Sequence, residues 1–226
     1  KGHSIEVFKY EGNVLLHVAT IKDQMLISPN DLVMVNESQF YITNDHGTKG
    51  EWTKTIEDYL QLGLSNVLFY DGNFFQIVAK KLKYANGINM SKDGKWVYIA
   101  ETTGKRISIF KRKNATNELE FEQSIFTNSG VDNIELDKNG DLWIGAHPQL
   151  LAFTRHARDA EYLSPSQVVK IFQDTNGNYD WEEVYLDNGQ PLSGCSVAAV
   201  YGNHLLIGAV FADHFLHCRM DGFFSH

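Results

Sequence analysis

The chain has 226 residues, 43% of them hydrophobic and 12% aromatic, and a formal charge of −8. That is enough apolar material for one or two compact domains with a sizeable core. The acidic balance argues against a nucleic-acid partner, because phosphate binding needs a basic surface, and it suits cation binding better.

Proline is scarce and glycine common, with 4 and 18 respectively. Val, Ile, Phe, Tyr and Trp fall in short clusters, a mix that favours strands. The longest apolar run, Leu205–Ala212, is far short of the roughly 20 residues of a membrane span. The two cysteines, Cys195 and Cys218, are too few to argue a disulfide framework from number.

In chain order, Ile5–Tyr10 and Val14–Ile21 read as a hairpin turned at Glu11-Gly12-Asn13. The chain enters this strand with neither Met nor leader, which predicts that an N-terminal piece precedes it. A repeat follows. Its first copy runs from Asn30-Asp31 through Leu32–Val35, turns at Asn36–Ser38 and closes with Phe40-Tyr-Ile-Thr-Asn44-Asp45. The second opens at Asn86-Gly87, turns at Asp93-Gly94, a strong hairpin signal, and returns as Trp96–Ala100. The third is Asp132-Asn133 onward, with a turn at Asn139-Gly140 and Leu142–His147. The fourth starts at Cys195, turns at Gly202-Asn203 and returns through Leu205. Hairpins trail the second and third copies, Arg106–Phe110 with Glu118–Phe126 and Val168–Gln173 with Glu182–Leu186.

The heads of these copies, Asn30, Asn86, Asp132 and Cys195, recur at spacings of 56, 46 and 63 residues. These run somewhat long against the ~40–50 of propeller blades, a difference that loop insertions account for. Segments between strands are too short and turn-rich for the helical crossovers of a barrel or doubly wound fold. The expectation is an all-β chain, one β-propeller domain over residues 1–226 with roughly four blades. One segment breaks the pattern. Trp52, Ile56, Tyr59 and Leu60 have helical spacing, so the Trp52–Leu64 segment reads as a short amphipathic helix. It either packs over a blade or faces a lipid surface near a site.

A propeller gathers its innermost strands around one axis, so polar residues at the strand heads converge. Asn30, Asp31, Asn86, Asp132 and Asn133 all carry side-chain oxygens, and oxygen-only ligation is what calcium takes. Asn30 and Asp31 are adjacent in an extended segment and should point to opposite sides, serving two ions. Taken singly, Asx residues at strand ends commonly cap turns; the shared register is what favours ligation. Asp45, His46 and His147 end strong strands near the same face, where a histidine can donate to substrate or shuttle a proton with Asp45 orienting the ring. His214 and His217 flank two residues of a strand and should face opposite ways. Asn36, Asn89 and Asn114 head glycosylation sequons, and Asn114, in a polar turn, is the best placed.

Four stretches resemble the serum paraoxonase/arylesterase family: Asn30-Asp-Leu-Val through Tyr41-Ile-Thr-Asn-Asp-His, Ala85–Phe110, Val131-Asp-Asn-Ile, and Asp141-Leu-Trp-Ile-Gly-Ala-His-Pro. The similarity runs over essentially the whole chain. It implies a secreted, six-bladed calcium-dependent hydrolase of aryl esters and lactones with two calcium ions. By motif match, Asn30, Asn86, Asp132 and Asn133 correspond to ligands of the catalytic ion and Asp31 to one of the structural ion. Asp45, His46 and His147 correspond to active-site residues, and Tyr84 and Val210 to the substrate pocket. The Trp52–Leu64 segment resembles a helix associated with lipoprotein or membrane docking. The resemblance also implies that Cys218 bonds a cysteine upstream of Lys1, where the family's paired catalytic histidines and one acidic ligand for each ion also lie. His3 matches neither of those histidines, and Ala146 replaces a family cysteine. The competing expectation is a truncated, non-catalytic propeller that binds a lipid surface or protein. A propeller lactonase of sugar lactones is a third.

Overall fold

The structure, a computed structural model, describes residues 2–220. Strands β1 (Ile5–Glu11) and β2 (Val14–Ile21) form the expected hairpin. Four antiparallel sheets follow. The first holds β3 (Pro29–Met34), β4 (Phe40–Asn44), β5 (Ser65–Tyr70) and β6 (Phe75–Leu82), with helix α1 (Glu51–Leu60) between β4 and β5. The second holds β7 (Ala85–Met90), β8 (Trp96–Glu101), β9 (Arg106–Arg112) and β10 (Leu119–Phe126). The third holds β11 (Gly130–Leu136), β12 (Leu142–His147), β13 (Gln167–Gln173) and β14 (Tyr179–Leu186), with helix α2 (Leu150–His156) between β12 and β13. The fourth has three strands, β15 (Cys195–Tyr201), β16 (His204–Ala209) and β17 (Leu216–Arg219). The hairpin β5–β6 and helix α2 go beyond the sequence expectation of a single helix and two trailing hairpins.

Strand order within each sheet follows chain order, so β3, β7, β11 and β15 each lie at one edge. The cores lie between sheets. Tyr41, Val67 and Phe69 of the first pack with Ile88, Val97 and Phe110 of the second. Ile107 and Ile109 of the second meet Val131, Ile144 and Ile171 of the third, and Trp143 and Val168 meet Ala198, Leu205 and Ile207 of the fourth. Strands such as β4 and β12 are therefore covered on both faces and buried along their whole length, which is why they read as continuous apolar runs. Sheets stacked face to face in chain order, joined along their first strands, make a β-propeller.

Two devices join neighbouring blades near the first strands. Hydroxyls from one blade donate to main-chain carbonyls at the head of the next, Thr43 Oγ1 to Asn86 O at 2.7 Å and Thr102 Oγ1 to Val131 O at 2.7 Å. Glycines allow backbone to approach backbone. A Cβ on Gly87 would fall 2.4 Å from Asp132 O, and one on Gly145 would fall 2.3 Å from the carbonyl carbon of Ser196.

Candidate functional site

The first strand of every blade carries a register shift against the second, and all four fall at the repeat head. The shifts lie between Pro29 and Leu32, Ala85 and Ile88, Val131 and Ile134, and Cys195 and Val197. Asn30-Asp31, Asn86-Gly87, Asp132-Asn133 and Ser196 are thus the residues left without a ladder partner. A bulge bends its strand and re-aims the side chains on it. This common geometry takes the head residues out of ordinary sheet pairing.

The three amides are then fixed by their nitrogens. Asn30 Nδ2 donates to Asp45 Oδ2 at 3.0 Å, and Asn133 Nδ2 donates to Ser196 O at 3.1 Å. Asn86 Nδ2 lies 3.2 Å from Thr102 Oγ1, whose own proton goes to Val131 O. Each partner can only accept, so chemistry dictates which end of each amide is nitrogen. The three oxygens are the ends left over, and amide oxygen is a hard donor of the kind calcium takes. Asn86 and Asp132 are buried, Asp31 and Asn133 half-buried, and Asn30 exposed.

Asp31 reaches the other way from Asn30, accepting from Ile88 N on β7 at 2.9 Å and from Leu32 N at 2.8 Å. Burial pushes its carboxyl above the usual range despite those bonds, and the negative charge of Asp132 adds to the rise. Glu135, which the sequence reading did not single out, is raised by burial and then by Asp31. Asp31, Asn133 and Glu135 line a cleft of about 280 Å³ beside the first strands. Among the described residues no three His, Cys, Asp or Glu side chains form a metal cluster. The candidate donors fit a calcium ion in chemistry, but they bring only two carboxylates, Asp31 and Asp132.

His147 Nε2 lies 3.1 Å from Asp132 Oδ2, and its buried Nδ1 has no protein partner. A carboxylate oxygen accepts, so Nε2 is the donor in this contact. The ring stacks on Phe153 of α2 at 3.6 Å between centroids. His46 donates from both nitrogens, to Asp45 Oδ1 at 2.7 Å and to Asp58 of α1 at 3.2 Å. Burial opposes its charge, but the hydrogen bonds to Asp45 and Asp58 raise its pKa to about 9. Against its own burial, Asp45 is held below the usual carboxylate range by His46, Ser28 and Asn30. At neutral pH His46 is thus a cation between two carboxylates, with no free nitrogen to act as a base.

Tyr84 packs edge-on against His46, 4.9 Å between centroids. Burial, then the charges of Asp45, Asp58 and Asp132, push its phenol well above the usual range. Val210 is 54% exposed, just past β16. Cys195 is buried and its thiol is pushed up to about 12 by burial, so the fourth head supplies no thiolate. Cys195 and Cys218 are not bonded to each other. His214 bonds Asp213 and Pro191 O, whereas His217 meets His204 at 2.8 Å, so the two point apart. Asn114 is exposed between β9 and β10, whereas Asn89 is locked to Ile134 O and Met90 N.

Helix α1 lies where its spacing placed it, with its faces reversed relative to packing over a blade. Trp52 (84% exposed), Ile56, Tyr59 and Leu60 face solvent. The polar face docks instead. Glu57 is buried and accepts from Gly47 N at 3.0 Å, Lys54 Nζ donates to Ser28 Oγ at 3.0 Å, and Asp58 holds His46.

The fold and the bulged heads define a β-propeller with its polar residues gathered on the first strands. The arylesterase family model matches residues 1–220, and the chain belongs to that family. It is 38% identical over 220 residues to human serum paraoxonase/arylesterase 1, covering 96% of this chain and 61% of that protein. Among solved structures it resembles the Pseudomonas aeruginosa periplasmic gluconolactonase, with TM-score 0.54 at 13% identity over 90% of this chain and 56% of that one. It also resembles the calcium-binding protein regucalcin of Agrobacterium tumefaciens, with TM-score 0.50 at 16% identity over 82% and 55%.

Proposed function

We propose that the chain is part of a calcium-dependent hydrolase of small aryl esters and lactones. The observation that carries the reading is the bulge repeated at each head, with three amides tied down by nitrogen. Asn30, Asn86, Asp132 and Asn133 would hold one calcium ion and Asp31 a second. When bound, the ion supplies a hard Lewis acid for an ester or lactone carbonyl. His147 orients Asp132 and fixes which carboxylate oxygen is free. His46 steadies Asp45, which steadies Asn30. Tyr84 and Val210 would flank the substrate, and Phe153 walls off His147 from water.

The exposed stripe of α1 with Leu62 and Leu64 is proposed to dock on a lipoprotein or membrane surface. The accessible Asn114 sequon and the family's serum members suggest a secreted glycoprotein, with Cys218 bonded to an upstream cysteine. Hydrolysis of phenyl acetate and of a lactone, measured before and after chelation, tests the central claim. Turnover should vanish with the chelator and return with calcium; turnover indifferent to chelation rejects it.

A further inference from the structure

The fourth blade carries a pair of histidines apart from the inner-strand heads. His204 opens β16 and His217 lies on β17; His204 Nδ1 is 2.8 Å from His217 Nε2, with ring centroids 4.9 Å apart. The register explains the contact. His204 lies opposite Arg219, and His217 opposite Leu206, so the two rings are diagonal neighbours on one face, a separation that aromatic side chains can span. Alternation sends Leu205 and Cys218 to the other face, where both pack in the core of the blade. His46, His147 and His214 each meet a carboxylate. Here a ring nitrogen meets a ring nitrogen.

In that contact one ring donates and the other accepts. Both rings are exposed, so the shared proton can move to a ring's outer nitrogen, and a small swing turns both lone pairs onto one point beside the contact. Two bonds of about 2.0 Å meeting at a right angle put their nitrogens about 2.8 Å apart, whereas a tetrahedral centre needs about 3.3 Å. The observed spacing is that of neighbouring ligands on a tetragonal ion. Arg219 has no lone pair and its charge works against a dication, so affinity rests on the two imidazoles. Among the described residues no third His, Cys, Asp or Glu joins them, and water fills the other positions. Imidazole and water in a tetragonal arrangement suit Cu(II), which nitrogen donors also hold most tightly among the first-row divalent ions. Calcium, which takes oxygen donors, has no place here.

We propose that His204 and His217 form a cross-strand site for Cu(II) that clips β17 to β16. Strand β17 has four residues and, among the described residues, a backbone partner on one side only. One ion bonded to both strands holds that short edge strand in register. The site uses neither the calcium ion nor the ester-hydrolase reading, so the two stand or fall separately.

The test is a titration of Cu(II), Ni(II) and Zn(II) into the untagged chain with calcium present. The chain carries His3→Gln, because Lys1-Gly2-His3 with a free amine is itself a copper chelator. Calorimetry should show one copper per chain, held well ahead of nickel and zinc. Electron paramagnetic resonance should show two equatorial nitrogens. His204→Gln and His217→Gln should each weaken copper about a hundredfold, since either leaves a single imidazole in place of a chelate, and should reduce the spectrum to one nitrogen. Both positions are exposed, so melting without copper should match the parent. His214→Gln should bind copper as the parent does. Saturating copper should slow hydrogen exchange across Leu216–Arg219 in the parent and in neither variant. Unchanged copper affinity in either variant, a single equatorial nitrogen in the parent, or zinc held as tightly as copper overturns the site. Two nitrogens in the parent with no slowing of exchange across β17 overturns the clip.

Discussion

At the scale of the residue, the site is organised by what each polar atom can no longer do. His46 has spent both nitrogens, and its folded pKa of about 9 lies above the 6.5 of an unfolded histidine. The stabilisation from this raised value is fully present below about pH 6.5 and is lost as the pH rises through about 9. His46→Gln should flatten the thermal midpoint between those limits and lower it at pH 6 by the equivalent of about 2 kcal/mol. A midpoint with the same alkaline decline in the variant would disprove the assignment. Thr102→Val keeps the shape but leaves Asn86 Nδ2 and Val131 O without their shared hydroxyl. It should cost about 1–3 kcal/mol in urea unfolding and weaken calcium binding through Asn86. The bulged heads were legible because Asn or Asp recurs at one register position in three of the four copies. Thr43, Thr102 and Ser196 were not, because each meets a partner distant in sequence through a main-chain carbonyl, which leaves no local pattern; Phe153 stacks on His147 only six residues away, but a ring face carries no sequence signature.

At the scale of the element, periodicity placed α1 correctly but could not show which face docks. Apolar residues at helical spacing ordinarily mark the buried side. Here the loop beneath offers Gly47 N–H, Ser28 Oγ and His46, so Lys54, Glu57 and Asp58 turn inward. The two faces can be separated by mutation. Trp52→Ala with Ile56→Ala should weaken partitioning onto phosphatidylcholine vesicles in co-sedimentation by more than about tenfold, at about 1.5–3 kcal/mol for each fully transferred large side chain. It should leave the melting temperature unchanged. Glu57→Ala should do the opposite, speeding hydrogen exchange at Gly47 and detaching the helix locally. The missed hairpin β5–β6 follows the helix, where a strand-based repeat is hardest to keep in step. Helix α2 is two turns long, too short for its period to show. Strand spacing is tested by Gly87→Ala. Its methyl meets the backbone of β11 rather than a movable side chain, so a loss of about 3 kcal/mol or more is expected in denaturant unfolding.

At the scale of the whole molecule, the propeller sets acidic heads from separate blades against one another. Asp31 on β3 lies about a hundred residues from Asp132 and Glu135 on β11, yet the stacking of successive blades brings its charge within reach of both. Nothing cationic among the neighbours described here answers Asp31; it has backbone N–H groups alone. A calcium ion bound at the heads would therefore relieve repulsion as well as join blades. Adding calcium at a hundred-fold excess over its dissociation constant should stabilise the fold by about 2.7 kcal/mol. For a chain of this length that is about 5–10 °C in midpoint. Magnesium, which keeps its waters and demands a tighter octahedron, should give much less. Asp31→Asn separates the two contributions. It removes a buried charge, so without calcium it should unfold no more easily than the parent, while the second ion's share of the gain from added calcium disappears. A variant that melts lower than the parent in chelator and still gains the full calcium increment would mean that Asp31 serves the strands alone, through Ile88 and Leu32, and that the ion lies elsewhere.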